Sequence, residues 1–125
     1  MAVIVARSIK KKELRSGAAG VAELKIVVKA FYREIGVNIK GDKLPKGTRL
    51  LKIYTTTDVG ARRIVYLVDV LTGDGFFLML RSKNDKVGEN ISIKNQEFRK
   101  LLYKYLQLLK DDLLGGNTEV YLLEK

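Results

Sequence analysis

The chain contains no cysteine and no histidine among its 125 residues, and a single proline, Pro45. Without cysteine there is neither a disulfide nor a thiolate metal site, and a reducing cytoplasm is the compartment such a composition suits. Without histidine, the Ser-His-Asp and Cys-His routes to nucleophilic catalysis are closed, as is nearly all zinc chemistry. No apolar run approaches the ~20 residues of a membrane span, and the opening "MAVIVARSIKKK" places its apolar stretch before its charges, the reverse of a secretory signal. A soluble cytoplasmic protein with no membrane partner is expected. Carboxylates suggest no metal site either, since Asp69 and Asp74 flank a turn signal and Asp111-Asp112 closes a helix pattern. Any chemistry therefore falls to Lys, Arg, Tyr and the backbone, without metal or small-molecule cofactor.

What the sequence does hold is positive charge. Its 24 Lys and Arg outnumber 14 Asp and Glu, for a net charge of +10, and the excess is one-sided: residues 1–96 carry 19 basic and 9 acidic residues, residues 97–125 five of each. Such a surplus is the electrostatic footprint of a protein that approaches a polyanion, nucleic acid first and an anionic membrane surface second. A generally solubilising basic surface is the plain alternative. With 46% hydrophobic residues, the length suits one domain spanning 1–125.

Along the chain, "AVIVARS" reads as a strand, and "IKKKELRSGAAGVAELKIVVKAFYREIG" as two helices split by "SGAAG". In the second helix Val21, Leu24, Val27, Val28, Phe31 and Ile35 recur at helical spacing, and Gly36 is placed as a left-handed cap. "VNIKGDKLPKGTR" reads as a loop. Three strands follow, "RLLKIYTTT", "RRIVYLVDVL" and "GFFLMLRSK", the last two joined by "TGDG", a hairpin signal. "NQEFRKLLYKYLQLLKDDLL" sets Phe98, Leu101, Leu102, Tyr105, Leu108, Leu109 and Leu113 on one helical face, and "TEVYLLEK" is a possible edge strand. The expected fold class is α+β, β-α-α-β-β-β-α around a small antiparallel sheet with helices on one face.

Alternation along strands places Lys52 with Tyr54, Arg63 with Val65 and Arg81 with Lys83. If the three strands are neighbours, these cations gather on the open sheet face or its rim, with Lys86 in the loop beyond. Arginine can pair with phosphate oxygens and tyrosine offers a stacking face, so the cluster suits a phosphodiester and an unstacked base. Taken singly each residue has an ordinary explanation: Lys52 and Lys83 as solvent-facing strand residues, Arg62-Arg63 as a solubilising pair, Asn84-Asp85 as turn chemistry, "IKKKELR" as a solvated helix face. Convergence from consecutive strands is what favours function.

The segment "LPKGTRLLKIYTTTDVGARRIVYLVDVLTGDGFFLMLRSKNDKVGENIS" resembles RelE/HigB-type toxins of toxin–antitoxin modules, chiefly through Arg63-Ile64-Val65-Tyr66 and Lys83-Asn84-Asp85-Lys86. The resemblance covers about residues 40 to 110. It implies a RelE-like domain, a cognate antitoxin as protein partner, and metal-independent cleavage of mRNA on the ribosome, in which a 2′-hydroxyl attacks its own phosphate. Under it, Lys52, Arg63 and Lys83 are expected catalytic residues, and Arg81, which stands where relatives often carry an aromatic, joins them on the strand argument alone: Arg63 and Arg81 stabilise phosphate charge, and Lys52 and Lys83 bind phosphate or move protons. Arg49, Tyr54, Arg62 and Lys86 are expected to bind RNA, with Tyr54 stacking on a base. Tyr103, Tyr105 and Tyr121 do not match the late catalytic tyrosine of RelE, which favours the HigB-type variation. ParE-type gyrase inhibitors share the fold, and a non-catalytic nucleic-acid-binding module would keep the same charge.

Overall fold

The computed structural model describes residues 1–41 and 43–122. Its elements are β1 (Val3–Ala6), α1 (Arg7–Glu13), α2 (Gly17–Arg33), β2 (Val37–Ile39), β3 (Thr48–Thr57), β4 (Gly60–Asp69), β5 (Gly75–Ser82), α3 (Gln96–Leu114) and β6 (Thr118–Tyr121). The strands form one sheet in the order β2-β3-β4-β5-β1-β6. The fold is α+β, as expected, and all pairings are antiparallel except β1 with β5. Val37–Ile39, expected as loop, instead forms a short edge strand against residues 50–52. The possible final strand is present over Thr118–Tyr121 on the outer edge of β1; residues 123–125 lie outside the described residues.

Strand β4 explains the layering. Five consecutive residues, Ile64 to Val68, are buried, so both faces of this strand need cover. On one face Ile53, Ile64 and Leu80 lie side by side, as do Leu51, Tyr66 and Phe77, and α2 covers them. The Tyr66 hydroxyl donates to the Val27 carbonyl at 2.5 Å, and Phe31 packs on the Tyr66 ring with centroids 4.8 Å apart. Gly75 makes room for Phe31, whose ring would lie 2.3 Å from an added Cβ. On the other face Leu50, Leu67 and Phe76 are aligned, and Leu67 and Phe76 line one cleft together with Leu106 and Leu109 of α3. The two long helices thus lie on opposite faces, not together on one, because the apolar run of β4 presents side chains in both directions.

Pairing between β4 and β5 slips by one residue. Val65 faces Met79, but Tyr66 faces Phe77, so Leu78 is the extra residue of a β-bulge. Without it, Phe77 and Arg81 would point the same way. The bulge sends Phe77 into the α2 core and leaves Arg81 on the α3 face.

The helices also sit differently from the simple periodic pattern. The buried positions of α2 are Gly20, Glu23, Val27 and Ala30, and the helix stops at Arg33. Val21 and Ile35 are exposed. Gly36 is not a left-handed cap, since its φ is not positive; it is small because the Leu51 side chain passes 2.5 Å from where a Cβ would stand. In α3, Phe98, Leu102, Tyr105 and Leu109 are buried as expected, joined by Asp112, whereas Leu113 is exposed.

Buried Asp112 caps a helix other than its own. Ala6, at the N-cap of α1, supplies no side-chain hydrogen bond. Instead the Asp112 carboxylate accepts from the Ser8 backbone N–H at 2.9 Å, the Ser8 hydroxyl at 3.0 Å and Asn117 Nδ2 at 3.2 Å. Burial alone would raise its pKa, but the Ser8 and Asn117 donors outweigh it and hold the carboxyl below its ordinary value. Asp112→Ala should therefore cost about 1–3 kcal/mol at neutral pH, the range for stranding buried donors. A depressed folded-state pKa contributes stability above the unfolded value, near 4, and loses it as pH falls through the folded value. The gap between the urea midpoints of wild type and Asp112→Ala should accordingly begin to narrow as pH falls below about 4; a gap that stays constant there would show that the charge of Asp112 contributes nothing.

Candidate functional site

The β3–β4–β5 register brings sequence-distant cations to one face. Tyr54 stands opposite Arg63, and Arg63 opposite Arg81; Lys52 lies two residues along from Tyr54, opposite Val65. Directly opposed residues share a face. Lys83 continues the ladder one step past β5, its N–H donating to the Ala61 carbonyl at 3.1 Å, which places it by alternation on the same side as Arg81. Lys52, Tyr54, Arg63, Arg81 and Lys83 therefore occupy one face, toward the end of the sheet where the β3–β4 turn lies.

Tyr54 is the centre of this group. Its ring is 47% exposed, with the Arg63 guanidinium carbon 4.2 Å and Lys52 Nζ 5.3 Å from its centroid. Cations over a ring face are held by its quadrupole without losing their charge. Among the described residues, Lys52, Arg63, Lys83 and Lys86 make no ion pair with a carboxylate. Arg63 is thus oriented by an aromatic ring and still free to receive an anion.

Arg81 is held otherwise. Its Nε and Nη2 reach the two oxygens of Glu13 at 3.0 and 2.5 Å, and Nη1 reaches Asp85 at 3.4 Å. Glu13 also accepts from the Leu80 backbone N–H at 3.0 Å and the Tyr105 hydroxyl at 2.6 Å. The Leu80 contact satisfies part of the β5 edge beyond its short pairing with β1. Burial lowers the pKa of Arg81, but Glu13 and Asp85 more than offset it, so the guanidinium stays charged. Burial and the Glu13 acceptor push the Tyr105 hydroxyl well above its ordinary range, so it remains protonated at neutral pH and is not available as a base.

The loop after β5 folds back onto Arg81. Asp85 Oδ1 accepts from the N–H groups of Val87 and Gly88 at 2.8 and 3.2 Å, and a Cβ at Gly88 would meet the Ser82 carbonyl at 2.1 Å. Burial would raise the Asp85 pKa, yet those N–H groups and Arg81 bring it below the ordinary value. Asn95, the N-cap of α3, donates to the carbonyls of Lys86 and Asn90 at 3.1 and 2.8 Å. Exposed Lys83 and Lys86 therefore stand on a loop pinned at both ends.

Two expected RNA-binding residues face away. Arg62 aligns with Thr55 and Ser82 on the α2 face, where Nη2 pairs with buried Glu23 at 3.1 Å. Arg49 is opposite Val68 and hydrogen-bonds Asn38. Strand parity is the cause: with Tyr54 opposite Arg63, the neighbouring Arg62 must point the other way. Glu13 was missed by sequence reasoning, since one acid in a lysine-rich helix carries no sign that it reaches β5. Among the described residues, no three acidic side chains come together as a metal site would need, and no helix is long and apolar enough to cross a membrane.

No family model, no curated protein and no solved structure matches this chain. Functional assignment therefore starts from the geometry: an exposed aromatic ring flanked by unpaired cations, on a rigid sheet, beside a pinned basic loop. Chemically, the arrangement offers unpaired positive charge to an anion and a partly exposed ring beside it.

If the ring orients Arg63, a double-mutant cycle of Tyr54→Leu and Arg63→Met, read from urea unfolding, should yield a coupling of about 0.5–1 kcal/mol. A coupling of zero would reduce the two side chains to mere neighbours.

Proposed function

We propose that this protein is a metal-independent endoribonuclease of the toxin–antitoxin type, acting on mRNA. The observation that carries the proposal is the Arg63–Tyr54–Lys52 group: two unpaired cations held against an exposed ring on a sheet face. The toxin assignment itself rests on the likeness of Arg63-Ile64-Val65-Tyr66 and Lys83-Asn84-Asp85-Lys86 to RelE/HigB proteins, and it brings with it the ribosome as the place of action and an acidic antitoxin as partner.

In the proposed reaction the RNA 2′-hydroxyl attacks the adjacent phosphorus and the bond to the 5′-oxygen breaks, leaving a 2′,3′-cyclic phosphate and a 5′-hydroxyl. One proton leaves the attacking oxygen and one is delivered to the departing oxygen. Arg63 would neutralise the non-bridging oxygens, because its guanidinium is oriented in advance and has no competing carboxylate among the described residues. Lys52 and Lys83 flank it as phosphate ligands and candidates for proton transfer. Tyr54 would fix an unstacked base beside the scissile phosphate, limiting the attack to an in-line geometry.

Induced expression of the wild type in bacteria should arrest growth and produce cuts in cellular mRNA, with 5′-hydroxyl ends at the cut sites. Arg63→Ala should reduce cleavage about 100-fold or more, the scale for removing one donor to a developing oxyanion, while preserving the unfolding free energy read from urea titration within about 1 kcal/mol. RNA binding by the wild type without any cut would favour a non-catalytic binding module, and growth arrest without cuts would favour a gyrase-type target. Undiminished cleavage by Arg63→Ala would remove Arg63 from the mechanism.

A further inference from the structure

Arg63 and Arg81 face each other directly across β4 and β5, a placement that repels if both charges are free. Their surroundings differ. Arg63 has an aromatic neighbour and, among the described residues, no carboxylate; Arg81 has two carboxylates, one of them Glu13, whose side chain is 1% exposed. Both Glu13 oxygens are used, by two guanidinium nitrogens, the Tyr105 hydroxyl and the Leu80 N–H. An incoming phosphate would have to displace a bidentate carboxylate that is already paired and buried, and to do so against the negative charge of Asp85.

We propose that Glu13 is a positioning residue that withdraws Arg81 from the polyanion-binding surface, so that phosphate is met by Lys52, Arg63 and Lys83 while Arg81 anchors the loop over residues 82–88. The proposal rests on the nucleic-acid reading of the site. It assigns opposed functions to two arginines that strand alternation treats alike: one binds the ligand, the other organises the wall beside it. Glu13 joins the basic helix α1 to the end of β5 and to α3 through Tyr105. Glu13→Gln keeps the side chain's size and an oxygen for the Leu80 N–H but removes the charge that restrains Arg81. Because the Arg81 side chain is 24% exposed, its guanidinium can then turn toward an anion.

The test measures binding of a 12-nucleotide 2′-O-methyl oligouridine, which lacks the attacking hydroxyl and cannot be cut, as salt is raised from 50 to 200 mM. One phosphate contact contributes about 0.7 to the logarithmic salt slope on a single strand, or about 2.5-fold in affinity over this range. Arg63→Gln, the reference, should flatten the slope by about that amount. Glu13→Gln should steepen it by a similar amount, because Arg81 is released to the ligand. The double variant Glu13→Gln with Arg81→Gln, which removes both charges and leaves the net charge unchanged, should return the wild-type slope. A double variant as flat as Arg63→Gln would show that Arg81 already contacts phosphate and would overturn the proposal. So would a folded Glu13→Gln with the wild-type slope; if that variant fails to fold, the double variant decides alone. Failure of the wild type to bind the oligonucleotide would instead sink the nucleic-acid reading. The charge assignment would then be read from salt elution on heparin: Glu13→Gln eluting later than wild type, with the double variant back at the wild-type position, supports the proposal, and Glu13→Gln eluting with wild type overturns it.

Discussion

The hydrogen-bond register of β3, β4 and β5 is the constraint on which everything else in this protein depends. Ten consecutive pairs join β3 to β4, from Thr48–Asp69 to Thr57–Gly60, and a one-residue slip would move every side chain of a strand to the opposite face. The apolar side chains hold the register in place. Tyr66 and Ile64 must face α2, so Val65 and Arg63 must face the other way. The bulge at Leu78 then adjusts β5 alone, so that Phe77 joins the α2 core while Arg81 still arrives beside Arg63. A functional surface follows from core packing, with no separate device to build it.

Buried acids tie the helices to this sheet. Glu13 joins α1 to β5 and α3, Glu23 joins α2 to Arg62 of β4, and Asp112 joins α3 to the start of α1. Each is satisfied by several donors, which is the condition under which a buried charge is tolerated. In a chain with a net charge of +10, Glu13 and Glu23 also separate two arginines from the cations left free among the described residues. Arg62 and Arg81 are neutralised inside the structure, and Lys52, Arg63, Lys83 and Lys86 are left to solvent or to a ligand. Charge at the surface is thus less a matter of how many basic residues there are than of which ones lack a buried partner.

The proposed chemistry follows from that division. Arg63 meets no carboxylate among the described residues and gains a fixed orientation from Tyr54, which is what preorganised stabilisation of a phosphate requires. The loop bearing Lys83 and Lys86 is held by Asp85, Gly88 and Asn95, so its cations are presented from an ordered segment. The floor of this face is a sheet packed on both sides.

Much of this was legible in the residues themselves. Three β-branched and aromatic segments separated by turn formers specify adjacent strands, and period-two alternation suffices to set Lys52 with Tyr54 and, given pairing, Arg63 opposite them. Two-sided burial of β4 was also written in its unbroken run from Ile64 to Val68, although the helices were expected on one face. Local pattern could not reveal the bulge, because "GFFLML" is apolar at every position and alternation has no phase there. Nor could it reveal Glu13, which meets Arg81 across 68 residues of chain and Tyr105 across 92. The sequence by itself determined the long strands and helices and that Lys52 and Tyr54 share one face of β3, because those follow from short-range periodicity. Only the tertiary structure decided which arginine is free and which is bound, because that depends on carboxylates delivered by elements distant in the chain.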